Sequence, residues 1–89
     1  METAEARIKR LRMRSMRRGI KEMDLILSDF ADRHLAAMPE DEIALYDALL
    51  AENDLDLLRW ITGQAAVPER FAALVGVIRA GAQGIVRPE

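Results

Sequence analysis

The segment Arg17-Arg18-Gly19-Ile20-Lys21-Glu22-Met23-Asp24 gathers five charged side chains around a single glycine. Residues of these types at this spacing suit recognition rather than bond-making. Arg18 offers a planar fork of donors that fits a carboxylate, a phosphate or backbone carbonyls. Gly19 has no side chain, so another backbone can approach it closely. Glu22 stands one helical turn beyond Arg18, where it can pair with Arg18 or Lys21 or accept bonds from a partner. The plainer reading of the same residues is a glycine helix stop beside an exposed ion pair, worth about 0–1 kcal/mol.

Catalytic groups are scarce elsewhere. The chain shows no credible Ser/His/Asp spacing, no P-loop and no dinucleotide glycine fingerprint. His34 is the single histidine, and it falls on an apolar helical stripe, where a core-edge histidine capping a carbonyl is expected. Asp54 and Asp56 lie at a turn and read as helix-capping acids. The absence of cysteine excludes disulfides, thiolate metal sites and thiol catalysis. These residues point to a protein that is not an enzyme, with no metal site and no tightly bound cofactor.

The elements that must position the charged segment are helical. Residues 4–17 are good helix formers with a narrow apolar stripe of Ala4, Ile8, Leu11 and Ser15, and most of the remaining surface is basic. Gly19 suits a helix end with positive φ, so a break is expected at Arg18-Gly19. A second helix over about 20–36 presents Ile20, Met23, Leu27, Phe30, Ala31, His34 and Leu35 at helical spacing. Pro39 and the acids Glu40, Asp41 and Glu42 open a third, whose inward face is Ile43, Tyr46, Leu49 and Leu50. Asn53 or Asp54 caps a short fourth helix holding Leu57, Trp60 and Ile61, with Trp60 expected in the core, and Gly63 stops it. Pro68 opens a fifth, with Phe71, Leu74, Val75 and Ile78 inward; Gly81 and Gly84 end it, leaving a frayed tail over about 82–89. The expectation is an all-α, single-domain bundle of about five short helices, as 89 residues with short connections allow.

Charge divides the chain. Residues 1–22 carry eight basic side chains against three acids, or +5, while residues 23–89 carry five arginines against twelve acids, or −7. Such a dipole orients a protein toward a charged partner. A nucleic-acid module built on the basic helix is one reading, but the acidic remainder and a pI near 5.4 oppose it. A protein-binding helical adaptor is another.

Arg18-Gly19-x-x-Glu22 resembles the RGxxE signature of the succinate dehydrogenase assembly and flavinylation factors. Further features agree in the same order: a basic helix before the motif, Asp24 after it, an apolar helix ending in His34-Leu35, a Pro/acid turn, Asp54-x-Asp56-Leu57-x-x-Trp60, and Pro68-Glu69 at the start of the last helix. The likeness spans about Ala6 to Arg79. Departures are Asn53, where a more acidic turn is expected, and the long stretch Gly63-Gln64-Ala65-Ala66-Val67. The tail after Gly81 matches nothing in the pattern.

The resemblance implies a small helical bundle that acts as a chaperone-like assembly factor. Its partner would be the flavoprotein subunit of succinate dehydrogenase, with fumarate reductase as a further client. The event it promotes would be covalent attachment of FAD, in which a flavoprotein histidine joins the flavin 8α-methyl carbon. FAD would belong to the client. By the same resemblance Arg18 and Gly19 enter the interface, Glu22 orients Arg18 or pairs with a basic partner group, Lys21 and Asp24 border the patch, and Arg14 and Arg17 steer association. No apolar run in the sequence reaches bilayer-spanning length, so membrane insertion is not expected; the acidic remainder opposes nucleic-acid binding, and the free protein is expected to be a monomer. The first helix begins close to the N-terminus, which favours bacterial cytoplasm, or the mitochondrial matrix for a eukaryotic source.

Overall fold

The computed structural model describes residues 2–82. They form five α-helices and two single 3₁₀ turns: α1 (Ala4–Ser15), α2 (Lys21–His34), α3 (Glu40–Leu50), α4 (Asp54–Ile61) and α5 (Ala72–Ala82), with the turns at Leu35–Ala37 and Glu69–Phe71. No strand occurs among the described residues. The tail expected to fray, with Gly84, lies outside them from residue 83 onward.

Two helices, α1 and α4, start where a side chain accepts from one of the first N–H groups. The Thr3 hydroxyl accepts from the Ala6 N–H at 3.0 Å, and the Asn53 side chain accepts from the Leu55 N–H at 2.8 Å. Pro39 precedes α3, whose first turn holds Glu40, Asp41 and Glu42, where the helix dipole favours negative charge. Gly63, at φ 79°, takes the left-handed conformation just beyond α4 that glycine adopts without steric penalty.

α2 is the centre of the bundle and touches α1, α4 and α5. Met23, Ile26, Leu27, Phe30 and Ala31 line its buried face at helical spacing. Tyr46 and Leu49 of α3, Leu57 and Trp60 of α4, and Phe71, Val75 and Ile78 near or in α5 close the core around it. Trp60 is 8 % exposed and meets Phe71 with ring centroids 6.0 Å apart, the core anchor its sequence context implied. His34 lies beside the core as expected, but it stacks on Phe30 at 4.9 Å instead of capping a carbonyl.

Two boundaries differ from expectation. α1 ends at Ser15 rather than near residue 17, and the left-handed residue beyond it is Arg17, at φ 57°, not Gly19. The cause is a tertiary demand on Arg18, set out in the next subsection. α5 runs through Gly81 to Ala82, so Gly81 does not end it; a lone glycine in an outer turn costs only about 1 kcal/mol against the burial of Ile78 and Ala82.

A hydroxyl pair ties α1, α2 and α3 at their common contact. Ser15 Oγ and Tyr46 Oη lie 2.6 Å apart; Ser15 also donates to the Leu11 carbonyl at 2.7 Å, and Tyr46 sits 3.4 Å from the Leu27 carbonyl. Both residues are fully buried. Burial pushes the Tyr46 phenol up to about 12, because tyrosinate would be stripped of water there. The folded state therefore holds the neutral phenol. Its contribution is fully present below the ordinary tyrosine pKa of about 10 and is lost as pH rises from there through about 12. Alkaline titration should show tyrosinate forming together with loss of helical circular dichroism, and Tyr46→Phe should abolish that step while lowering neutral-pH stability by about 1 kcal/mol.

Candidate functional site

The charged segment identified in the sequence forms the link between α1 and α2, and the fold brings the start of α4 against it. Asp54, the first residue of α4, accepts from Arg18 Nε at 2.7 Å through one oxygen and from the Gly19 N–H at 2.8 Å through the other. Arg18 does more than hold Asp54. Its Nη1 donates to the Arg14 carbonyl at 2.9 Å and its Nη2 to the Leu50 carbonyl at 3.1 Å. Those two carbonyls belong to the last turns of α1 and α3, where helices leave acceptors without intrahelical partners. One guanidinium thus joins the end of α1, the end of α3 and the beginning of α4.

This geometry explains the early end of α1. For Arg18 to reach back to Arg14 and across to Asp54, the chain must leave the helix before it, and Arg17 takes the left-handed backbone that makes the turn. Outside glycine that conformation costs on the order of 1 kcal/mol. Gly19 serves a different purpose from the one its type suggested. A Cβ built there would lie 3.3 Å from Asp54 Oδ2, so glycine lets the carboxylate close on the Gly19 N–H without being pushed aside. The sequence reading gave Arg18 to a partner. In the fold its side chain is 12 % exposed and each of its nitrogens already donates once.

Glu22 does not orient Arg18; Asp54 does. Glu22 is exposed in the first turn of α2, together with Lys21, and has no ion pair among the described residues. Asp24 accepts from Ser28 Oγ at 3.3 Å at the edge of the same turn. Asp54 is the residue that sequence reasoning undervalued. Its signal was an acid directly after an asparagine already able to cap the helix, a carboxylate in excess of what capping requires.

The basic helix divides by face. Arg7, Arg10, Arg14 and Arg18 turn toward acids: Arg7 pairs with Glu40, Arg10 with Glu2 at 2.8 Å and with Asp47 at 3.2 Å, and Arg14 with Asp47. Hydrogen bonding from Arg10 holds the Asp47 and Glu2 carboxyls below their usual range. Lys9, Arg12, Arg17 and Lys21 are exposed and have no ion pair among the described residues. Beside them Met13 and Met16 are 61 % and 42 % exposed. Two open clefts, of about 460 and 400 Å³, run along this side of α1 and share Met13 and Arg14. Such grooves suit contact with another surface; neither encloses a cofactor. Among the described residues no three His, Cys, Asp or Glu side chains are grouped to hold a metal ion, and no helix is long and apolar enough to cross a membrane.

Residues 9–82 match the family model described as flavinator of succinate dehydrogenase. The chain belongs to this family. Curated relatives carry the name succinate dehydrogenase assembly factor 2, mitochondrial. The one from Schizosaccharomyces pombe is 41 % identical over 70 residues, covering 79 % of this chain and 50 % of its own length. The one from Candida glabrata is 44 % identical over 73 residues, covering 79 % and 48 %. That from Mycosarcoma maydis is 39 % identical over 71 residues, covering 80 % and 30 %. The chain spans about half the length, or less, of these relatives. The matched region contains the whole Arg18–Asp54 junction.

If Asp54 organises the junction, Asp54→Ala frees the Gly19 N–H and leaves a largely buried guanidinium without its carboxylate. Stability should fall by on the order of 2 kcal/mol, and Tm by about 10 °C. Asp54→Asn keeps acceptor capacity for one of the two donors and should lose less. Thermal denaturation followed by circular dichroism compares the two directly.

Proposed function

We propose that this protein is a non-enzymatic assembly factor that binds the flavoprotein subunit of succinate dehydrogenase and promotes covalent attachment of its FAD. The observation that carries this reading is the family match over residues 9–82, with Arg18-Gly19-x-x-Glu22 and Asp54 inside it. The role is one of positioning. Attachment requires a flavoprotein histidine, the flavin methyl carbon and the surrounding domains to be aligned, and holding reactants in alignment removes several kcal/mol from a barrier without a catalytic group on the holder. The FAD remains the client's, and no residue of this chain is assigned to the chemistry.

The site residues take graded parts in this reading. Gly19 on the α1–α2 link and Lys21, Glu22 and Asp24 in the first turn of α2 are exposed or half-exposed, where a client surface can meet them. Arg14 and Arg17 raise the association rate through their charge. Arg18 fixes the shape of the link from inside. A related fumarate reductase flavoprotein is a second client in this reading, since the same alignment problem arises there. The factor works as a monomer in the compartment where the flavoprotein folds, bacterial cytoplasm or the mitochondrial matrix; the names of the relatives describe those proteins as mitochondrial.

The test is covalent flavin in the flavoprotein subunit of the source cell after deletion of this gene, read as in-gel flavin fluorescence after denaturation. The signal should vanish, and wild-type complementation should restore it. Gly19→Arg should not restore it although the variant retains its helicity, because the new side chain grows directly toward Asp54 and competes with Arg18 for that carboxylate. An undiminished signal in the deletion strain would overturn the reading and favour a helical adaptor of other purpose.

A further inference from the structure

The eight basic residues of the N-terminal segment are not one surface. Four are consumed in ion pairs that fasten α1 and the link beyond it to Glu2, α3 and α4, and four face solvent with no ion pair among the described residues. Along α1 and its C-terminal cap the unpaired cations lie beside exposed methionine: Lys9, Arg12 and Met13 follow at helical spacing on one face, and Met16 stands directly beyond the last turn. Arg17 continues that face at its C-terminal end, lining the same cleft as Met13 and Met16. Arg17 is also the one non-glycine residue of left-handed backbone among those described. Glycine would make the turn with less strain, and among the described residues the Arg17 side chain has no ion pair that would compensate. A strained residue whose side chain points outward, unpaired, beside exposed apolar groups is arranged for a contact outside the chain.

From this arrangement we infer that Lys9, Arg12, Met13, Met16 and Arg17 form the surface that grips the client flavoprotein, and that it takes an apolar client side chain ringed by carboxylates. The inference rests on the function proposed above and deepens it, because it moves the energetic centre of the contact from Arg18 to its neighbour Arg17. Charge complementarity selects the ring: the three cations of this surface, Lys9, Arg12 and Arg17, have no ion pair among the described residues. Methionine selects the centre, since a flexible thioether side chain adapts to an irregular apolar surface. A nucleic acid or an anionic membrane would satisfy the cations but would not place an apolar protein side chain between the two methionines.

Arg17→Gly separates fold from binding. Glycine relieves the left-handed backbone, so Tm should hold or rise, while affinity for the purified apo flavoprotein subunit, measured by titration calorimetry with the full chain, should fall about tenfold, as expected for an interface arginine. The double variant Met13→Ser/Met16→Ser should bind more weakly with an unchanged circular dichroism spectrum. Raising salt should weaken wild type more than Arg17→Gly. Wild-type binding with undiminished affinity in both variants would overturn the inference and leave the assembly function standing. Failure of the wild type to bind the flavoprotein would overturn both. Binding of random duplex DNA or anionic vesicles that depends on Lys9, Arg12 and Arg17, with flavoprotein binding that does not, would also overturn it.

Discussion

The carboxylate of Asp54 closes on Arg18 and on the Gly19 N–H at once, and the arrangement of four helices follows from that closure. Arg18 can satisfy the last carbonyls of α1 and α3 only while it is held at their meeting point. Once held there, it fixes where α1 stops, how the link to α2 turns and where α4 begins. The ends of helices are the weak points of a bundle this small, because each leaves backbone groups without partners. One side chain answers for two such ends, and the N-terminus of α4 supports the anion that retains it.

The junction also separates two tasks that the sequence places on adjacent residues. Arg18 faces inward and sets shape; Arg17 faces outward and carries backbone strain. A binding surface built on a short link needs a rigid base, since each side chain that must be ordered on association costs affinity. The internal clamp provides that base. The Arg10–Asp47 and Arg14–Asp47 pairs extend it along α1, so Met13 stands on, and Met16 directly beyond, a helix fastened to α3. The resemblance of this segment to a family signature then has a physical content: arginine and glycine form the clamp with Asp54, and glutamate stands free on the turn beyond it.

Below the junction the protein is an ordinary apolar bundle with one polar inclusion. The Ser15–Tyr46 pair is buried with every oxygen engaged. It lies one residue before the link departs from α1, so the register of α1 against α3 is set by a directional bond as well as by apolar contact. Sliding α1 would strand two buried hydroxyls, each a loss of about 1–3 kcal/mol.

The helices themselves were legible from the residues alone. Apolar spacing marked Met23, Leu27, Phe30, Tyr46, Leu57, Trp60, Phe71 and Ile78 as core, and all are buried, because periodicity reports which face of a helix must leave water. Capping chemistry placed the starts of α3 and α4 for a similarly local reason. The candidate segment was legible too, as a glycine among charges, and the order of motifs carried the family. What the sequence by itself could not decide was the direction of each charge. Glu22 stands one turn from Arg18 and Asp54 stands 36 residues away, yet Asp54 is the partner. Nor could it show that Arg17 rather than Gly19 takes the left-handed turn. Both outcomes depend on where α3 and α4 come to lie, and that is set by contacts between residues far apart in the chain. Local spacing determined the helices, the core and the place of the site; tertiary structure alone decided which arginine holds the fold and which is left for a partner.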